Sequence, residues 1–176
     1  MNTAITRTRK DRLLQKRIHG PYKSPRKLPE PTVCPKCNAV FKAGRWQWLE
    51  AWPANAPEKT CPACRRIQDN CPAGSVILSG DFIKQHRQEV INLARHHEWS
   101  ERSQHPLHRI ISIEELPDQV VVATTDIHLP KRIGQAVLSA YKGQLDLQYD
   151  EEGCFVRIHW TSLAKPEQLQ TEARQQ

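Results

Sequence analysis

The sequence predicts an α+β protein in two parts: a small four-cysteine module, then a split βαβ sheet with two helices and an extra strand. Three observations lead to this reading. Two Cys-x-x-Cys pairs, Cys34/Cys37 and Cys61/Cys64, stand twenty-three residues apart. Residues 75–160 switch between runs of period two and runs of helical period. The length, 176 residues, suits one ordinary domain or two small ones, and an apolar fraction of 38% supports a modest core.

The chain divides into four stretches: a basic arm and proline-rich linker (1–30), a cysteine module (31–74), an α+β domain (75–160) and a polar tail (161–176). Residues 1–20 predict a basic helical stretch around Leu13, Leu14 and Ile18, a weak apolar stripe that forms helix on binding. Gly20-Pro21 ends it. Pro21, Pro25, Pro29 and Pro31 then forbid regular helix or a central strand, so residues 21–33 read as a stiff, extended linker.

In the module, each Cys-x-x-Cys pair is a tight turn that aims two sulfurs at one ion, and Pro after the first cysteine fixes φ in that turn. Four thiolates make a closed tetrahedral site with no position for water or substrate, so the expected cofactor is one structural Zn2+ held by Cys34, Cys37, Cys61 and Cys64 in a zinc ribbon-like module. Two disulfides would need an oxidising compartment, which nothing else in the sequence indicates. A rubredoxin-like iron site is the other alternative. Such sites favour small residues after each knuckle, where Asn38 and Arg65 stand. Ala39 to Phe41 predict a strand, Gly44 a turn, and Arg45 to Trp48 the returning strand. Trp46 and Trp48 share a face, either in the small core beside the metal or stacked on bases. Ala51 to Lys59 reads as a loop, and Cys71 as a spare thiol in a turn.

The second part predicts a strand at Ser75–Leu78 and a helix capped by Asp81 and running to about His97, its stripe made by Phe82, Ile83, His86, Val90, Leu93 and Ala94. Trp99 to Pro106 is a polar connection. A strand at His108–Ile113 turns at Pro117-Asp118 into Gln119–Thr125, whose run Val120 to Ala123 predicts a strand covered on both faces. A second helix carries Leu129, Ile133, Ala136, Val137, Ala140 and Tyr141, and Gly143 ends it. Leu145, Leu147 and Tyr149 alternate in the next strand. After the turn at Asp150–Gly153, Cys154, Val156, Ile158 and Trp160 alternate in the last, and the tail from Thr161 frays. The order is that of a ferredoxin-like antiparallel sheet with an added strand.

The net charge of +7 is concentrated at one end. Residues 1–30 hold nine basic side chains (Arg7, Arg9, Lys10, Arg12, Lys16, Arg17, Lys23, Arg26 and Lys27) against Asp11 and Glu30, which accounts for the whole excess. The rest carries 17 basic and 17 acidic residues. A basic arm on a neutral body suits RNA or DNA, because each phosphate it neutralises releases a counterion. Its bland counterpart is a solvated tail. Arg65 and Arg66, directly after the second knuckle, are further candidates for phosphate contact. No apolar run approaches the ~20 residues of a membrane helix, and MNTAITRTRK lacks the apolar core of a signal peptide. A cytoplasmic protein is therefore expected, with no membrane partner. No Gly-rich phosphate loop, Gly-x-Ser-x-Gly or His-Glu-x-x-His is present, so neither an enzyme nor a small-molecule substrate is expected. His105 with His108, and Asp126 with His128, have the composition of metal-ligand pairs, but spacing indicates no third ligand.

Four segments carry a family likeness: Leu28-Pro-Glu-Pro-Thr-Val-Cys-Pro-Lys-Cys37, Cys61-Pro-Ala-Cys-Arg-Arg-Ile67, Thr125-Asp-Ile-His-Leu-Pro-Lys-Arg-Ile-Gly134 and Val156-Arg-Ile-His-Trp160. They resemble a group of small bacterial zinc-binding proteins over most of residues 20–160. Through the cysteine knuckles and the helix starting at Leu129, they are distantly similar to the N-terminal region of the large ribosomal subunit export adaptor, nonsense-mediated decay protein three. That region resembles two metal clusters where this chain has one complete set of four cysteines, and the adaptor's later domains and export signals have no counterpart here. The resemblance implies binding to the ribosome or ribosomal RNA. The alternative is a protein–protein interaction adaptor for a ribosomal or other protein, with purely structural zinc.

Overall fold

The computed structural model describes Tyr22, residues 27–151 and residues 153–163. The sequence-predicted helix at 1–20 and the tail beyond 163 lie outside these residues.

The cysteine module is built on a three-stranded antiparallel sheet of β1 (Thr32–Val33), β2 (Val40–Lys42) and β3 (Arg45–Gln47). Thr32 and Val33 pair with Phe41 and Val40, so the extended linker ends earlier than its prolines suggest. Pro31 stands just before an edge strand, where its missing N–H costs no ladder bond. Ala43 (φ 53°) and Gly44 (φ 75°) form the two-residue turn between β2 and β3, and positive φ at both positions matches the strands' twist. The Glu30 carboxylate accepts from the amides of Ala43 (2.7 Å) and Gly44 (3.1 Å) and holds the hairpin tip. The loop after β3 returns beside β1: Val33 N–H donates to Pro57 O (2.9 Å) and Lys59 N–H to Val33 O (2.9 Å). That return delivers α1 (Pro62–Gln68), with Cys61 at its N-cap, to the first knuckle.

The larger part comprises β4 (Gly74–Ser79), α2 (Asp81–Gln104), β5 (Ile110–Leu116), β6 (Gln119–Thr124), α3 (Leu129–Ala140), β7 (Gly143–Tyr149) and β8 (Val156–Ser162). Its strands lie in the order β5-β6-β4-β8-β7. This corrects the expectation of an antiparallel ferredoxin-like sheet. In a split βαβ unit the strand after α3 lies beside β4. Here β7 lies one place further out, and the turn after it folds β8 into the gap. β8 runs parallel to β4, pairing Val76 with Ile158 and Leu78 with Trp160, so the sheet is mixed.

Both helices pack on one face, against Val76, Leu78, Val120, Val122, Val156, Ile158 and Trp160. Ile83, Val90, Ile91 and Ala94 from α2, and Leu129, Ile133 and Val137 from α3, close this core. Each large side chain so buried contributes roughly 1.5–3 kcal/mol. On the opposite face, Ile77, Val121 and Ala123 are only partly covered. The apolar run in β6 is therefore not a strand covered on both faces, because both helices choose the same side.

Four further boundaries differ from expectation. α2 runs two turns past His97, since no Gly or Pro interrupts the chain until Pro106. Its N-cap is Gly80, with Asp81 the first helical residue, and Ser162 Oγ accepts from Phe82 N–H (3.3 Å). Thr161 and Ser162 belong to β8 rather than to the tail. Gly143 opens β7, packed on the Trp160 indole, while α3 already ends at Ala140. His86 stacks on Phe82 (4.2 Å between ring centroids), with Nδ1 2.9 Å from Glu89 Oε1, as a packed histidine.

Candidate metal centre

The Sγ atoms of Cys34, Cys37, Cys61 and Cys64 all lie within 4.8 Å of one another. Four thiolates at about 2.3 Å from a tetrahedral ion stand about 3.8 Å apart, and Cys37 Sγ lies 3.8 Å from Cys61 Sγ. Donor set, spacing and burial thus fit a metal ion held by four sulfurs. Such a site has no open coordination position, so the ion would act structurally.

Local backbone geometry presents the sulfurs. In the first knuckle, Asn38 N–H donates to Cys34 O (2.8 Å) and Cys34 N–H to Ala39 O (2.8 Å). Closing that turn needs a left-handed residue, and Asn38 (φ 63°) supplies it, being a type that tolerates this region. The second knuckle opens a helix. Cys61 is the N-cap of α1, its Sγ accepts from Cys64 N–H (3.4 Å), and Pro62 stands in the first turn, where its missing N–H matters least. Cys61 N–H in turn donates to Cys34 Sγ (3.3 Å). These amides stabilise sulfur in its anionic form.

The residue that the sequence did not reveal is Arg109. It is 5% exposed, its Nη1 lies 3.3 Å from Cys64 Sγ, and its Nε donates to Pro106 O (2.7 Å). Its Nη2 is buried without a hydrogen-bond partner. Four thiolates around a divalent ion carry a net −2, and a buried guanidinium is the natural counter-charge. Hydrogen bonding from the Cys61 thiol, with Arg109 behind it, outweighs burial and holds the Cys37 thiol down at about 4. The same hydrogen bond, together with burial, pushes the Cys61 thiol up. Burial pushes Cys64 up as well. Burial opposes the charge on Arg109, but the sulfurs of Cys37, Cys64 and Cys61 more than offset it and raise its pKa.

The metal module is fastened to the α+β part here. Leu107 packs with Trp46 and Trp48 against Cys34, Ala39, Cys61 and Ala63. Trp48 Nε1–H donates to Arg102 O at 2.6 Å. Both tryptophans thus belong to the core around the sulfurs.

Of the residues predicted to touch phosphate, Arg7, Arg9, Lys10, Arg12, Lys16, Arg17, Lys23 and Arg26 lie outside the described residues. Lys27 and Arg65 are exposed. Arg65 borders a shallow polar groove with Lys59, Thr60 and Gln68, and with the acids Glu58 and Asp69. Arg66 is buried, and its Nη1 donates to Cys71 O (2.9 Å). The Tyr22 ring covers the Arg66 guanidinium at 4.4 Å, while its hydroxyl donates to Asp69 Oδ2 (2.9 Å). Arg66 therefore ties the end of α1 to the following turn. Cys71 lies outside the sulfur cluster.

Among the described residues no helix is long and apolar enough to cross a membrane. No family model matches this chain, and no curated protein and no solved structure matches it, so the family resemblance rests on the quoted motifs alone.

Proposed function

We propose that this protein is a zinc-stabilised RNA-binding factor that associates with the ribosome. One observation carries the reading: the whole excess of +7 lies in residues 1–30, directly ahead of a compact metal module. Charge concentrated on an arm tracks a polyphosphate backbone, and a rigid module beside it fixes where the arm begins. Lys36, Lys42, Arg45, Lys59 and Arg65 extend exposed positive charge over the module, interspersed with Glu30, Glu50, Glu58 and Asp69. The motif resemblance to the export adaptor's zinc region favours ribosomal RNA among the possible RNAs. The zinc has a structural role, and no catalytic step is assigned.

The test is the salt dependence of binding to ribosomal RNA by the intact chain and by a chain lacking residues 1–28. Each lost phosphate contact should flatten the slope by about one unit. Equal slopes for the two chains would remove the arm from the reading.

The open face of the larger sheet favours a second reading, a protein-interaction adaptor. Ile77, Val121 and Ala123 lie partly uncovered there among Ser75, Arg157 and His159. That reading predicts complexes that survive raised salt and RNase.

A further inference from the structure

The histidines that sequence spacing leaves as two separate pairs meet at one place. His105 is the C-cap of α2, His108 stands two residues before β5, and Asp126 and His128 precede α3. The rings of His105 and His108 lie 4.7 Å apart between centroids, and those of His108 and His128 5.5 Å. Two imidazoles bound to one tetrahedral ion at about 2.0–2.1 Å place their centroids about 5 Å apart, between those two values.

His108 is held in a particular orientation. Its Nδ1 lies 3.0 Å from Glu101 Oε2, and the other Glu101 oxygen forms an ion pair with Arg132 Nε (2.8 Å). A carboxylate at Nδ1 is the kind of partner that orients metal-binding histidines and leaves Nε2 to face a ligand. That Nε2 faces Asp126 Oδ1 at 3.8 Å, too far for a hydrogen bond. Asp126 Oδ1 already accepts from the amides of His128 (2.6 Å) and Leu129 (2.9 Å). Asp126 Oδ2 is buried without a partner. An ion at about 2.0–2.2 Å from both atoms would separate them by about 3.4 Å at a tetrahedral angle, and by somewhat more at wider angles.

We infer that His108 and Asp126 form the floor of a second cation site for a divalent first-row transition metal such as zinc or nickel, which the exposed His128 and His105 complete by turning inward when the ion binds. Imidazole with one carboxylate suits these ions rather than calcium or magnesium. The site differs in kind from the thiolate centre. His108 and Asp126 are part-buried at its floor and His105 and His128 are exposed at its rim, so the ion exchanges with solvent.

The experiment is calorimetric titration of the untagged full chain, its thiolate site already filled with zinc, using further zinc and, separately, nickel. One additional equivalent should bind. It should be lost in His108→Gln and in Asp126→Asn, the latter keeping an oxygen to cap α3. Glu101→Gln should weaken it about 10–100-fold through the second coordination shell, and a His96→Gln/His97→Gln variant should leave it unchanged. Circular dichroism and the retained thiolate-bound zinc verify the fold of each variant. Should a variant fail to fold, the imidazole nitrogen shifts of the wild-type chain decide: a metal-dependent change at His108 Nε2 supports the site. Absence of a second equivalent, an equal second equivalent in His108→Gln and Asp126→Asn, or no change at Nε2 would overturn it.

Discussion

Arg109 Nη1 lies 3.3 Å from Cys64 Sγ, across forty-five residues of sequence. The contact couples the charge balance of the thiolate cluster to the attachment of the metal module on the α+β sheet.

Replacing Arg109 by methionine should weaken metal binding about 10–100-fold, the usual cost of losing a partner beyond the ligands. It should also destabilise the fold by about 3–5 kcal/mol, because a buried charged cluster is left without its counter-ion. Chelator competition reads the first effect and urea unfolding the second. Lysine should restore only part of each, since it cannot reproduce both the Pro106 and the Cys64 contacts of a planar guanidinium.

Metal removal should unfold the module and leave the larger sheet standing. The module buries Val33 and Val40 beside Cys34, Ala39, Cys61 and Ala63, too little to hold three short strands without an ion. Trp46 and Trp48 pack on that cluster, so their fluorescence should shift red on chelation, whereas Trp160 in the sheet core stays buried. Zinc predicts a colourless protein and iron a red one, which elemental analysis distinguishes.

Metal affinity should rise with pH through neutrality. The Cys61 and Cys64 thiols are pushed up and hold their protons at pH 7 in the metal-free chain, while Cys37, at about 4, has already released its proton. Binding must displace the protons from Cys61 and Cys64, so acid opposes it and base favours it. Calorimetry in buffers of different ionisation enthalpy should detect that release. A pH-independent affinity would contradict the proton assignment.

Gly134→Ala should destabilise the protein despite alanine's better helix propensity. A Cβ at this position in α3 would stand 2.6 Å from Ile158 Cγ2, and such overpacking costs about 1–3 kcal/mol against a helical gain of about 1 kcal/mol. Thermal unfolding checks the sign.

The cysteine pairs were legible in the sequence because a metal knuckle is local: four residues fix each turn, and the spacing of the two turns is diagnostic. The alternation of β7 and β8 and the stripe of α3 were legible for the same reason. Arg109 was not, because nothing in Leu107-His108-Arg109-Ile110 marks a guanidinium that will lie beside Cys64. The position of β8 was equally hidden. Its pattern is that of any half-buried strand, and only pairing with β4 reveals the parallel neighbour. Arg66 looked like a free phosphate ligand because it follows a knuckle, yet its place on α1 turns it toward Cys71 and Tyr22.

The most direct test of the functional reading is sedimentation of the protein with ribosomes from a native lysate through sucrose gradients. It would be run at low and raised salt, with the intact chain and a chain lacking residues 1–28. Ribosome association predicts co-migration with a subunit at low salt, lost at raised salt, on RNase treatment or without the arm. Protein that stays at the top of the gradient throughout, with no RNA recovered after crosslinking, would contradict it and shift attention to the open face of the sheet.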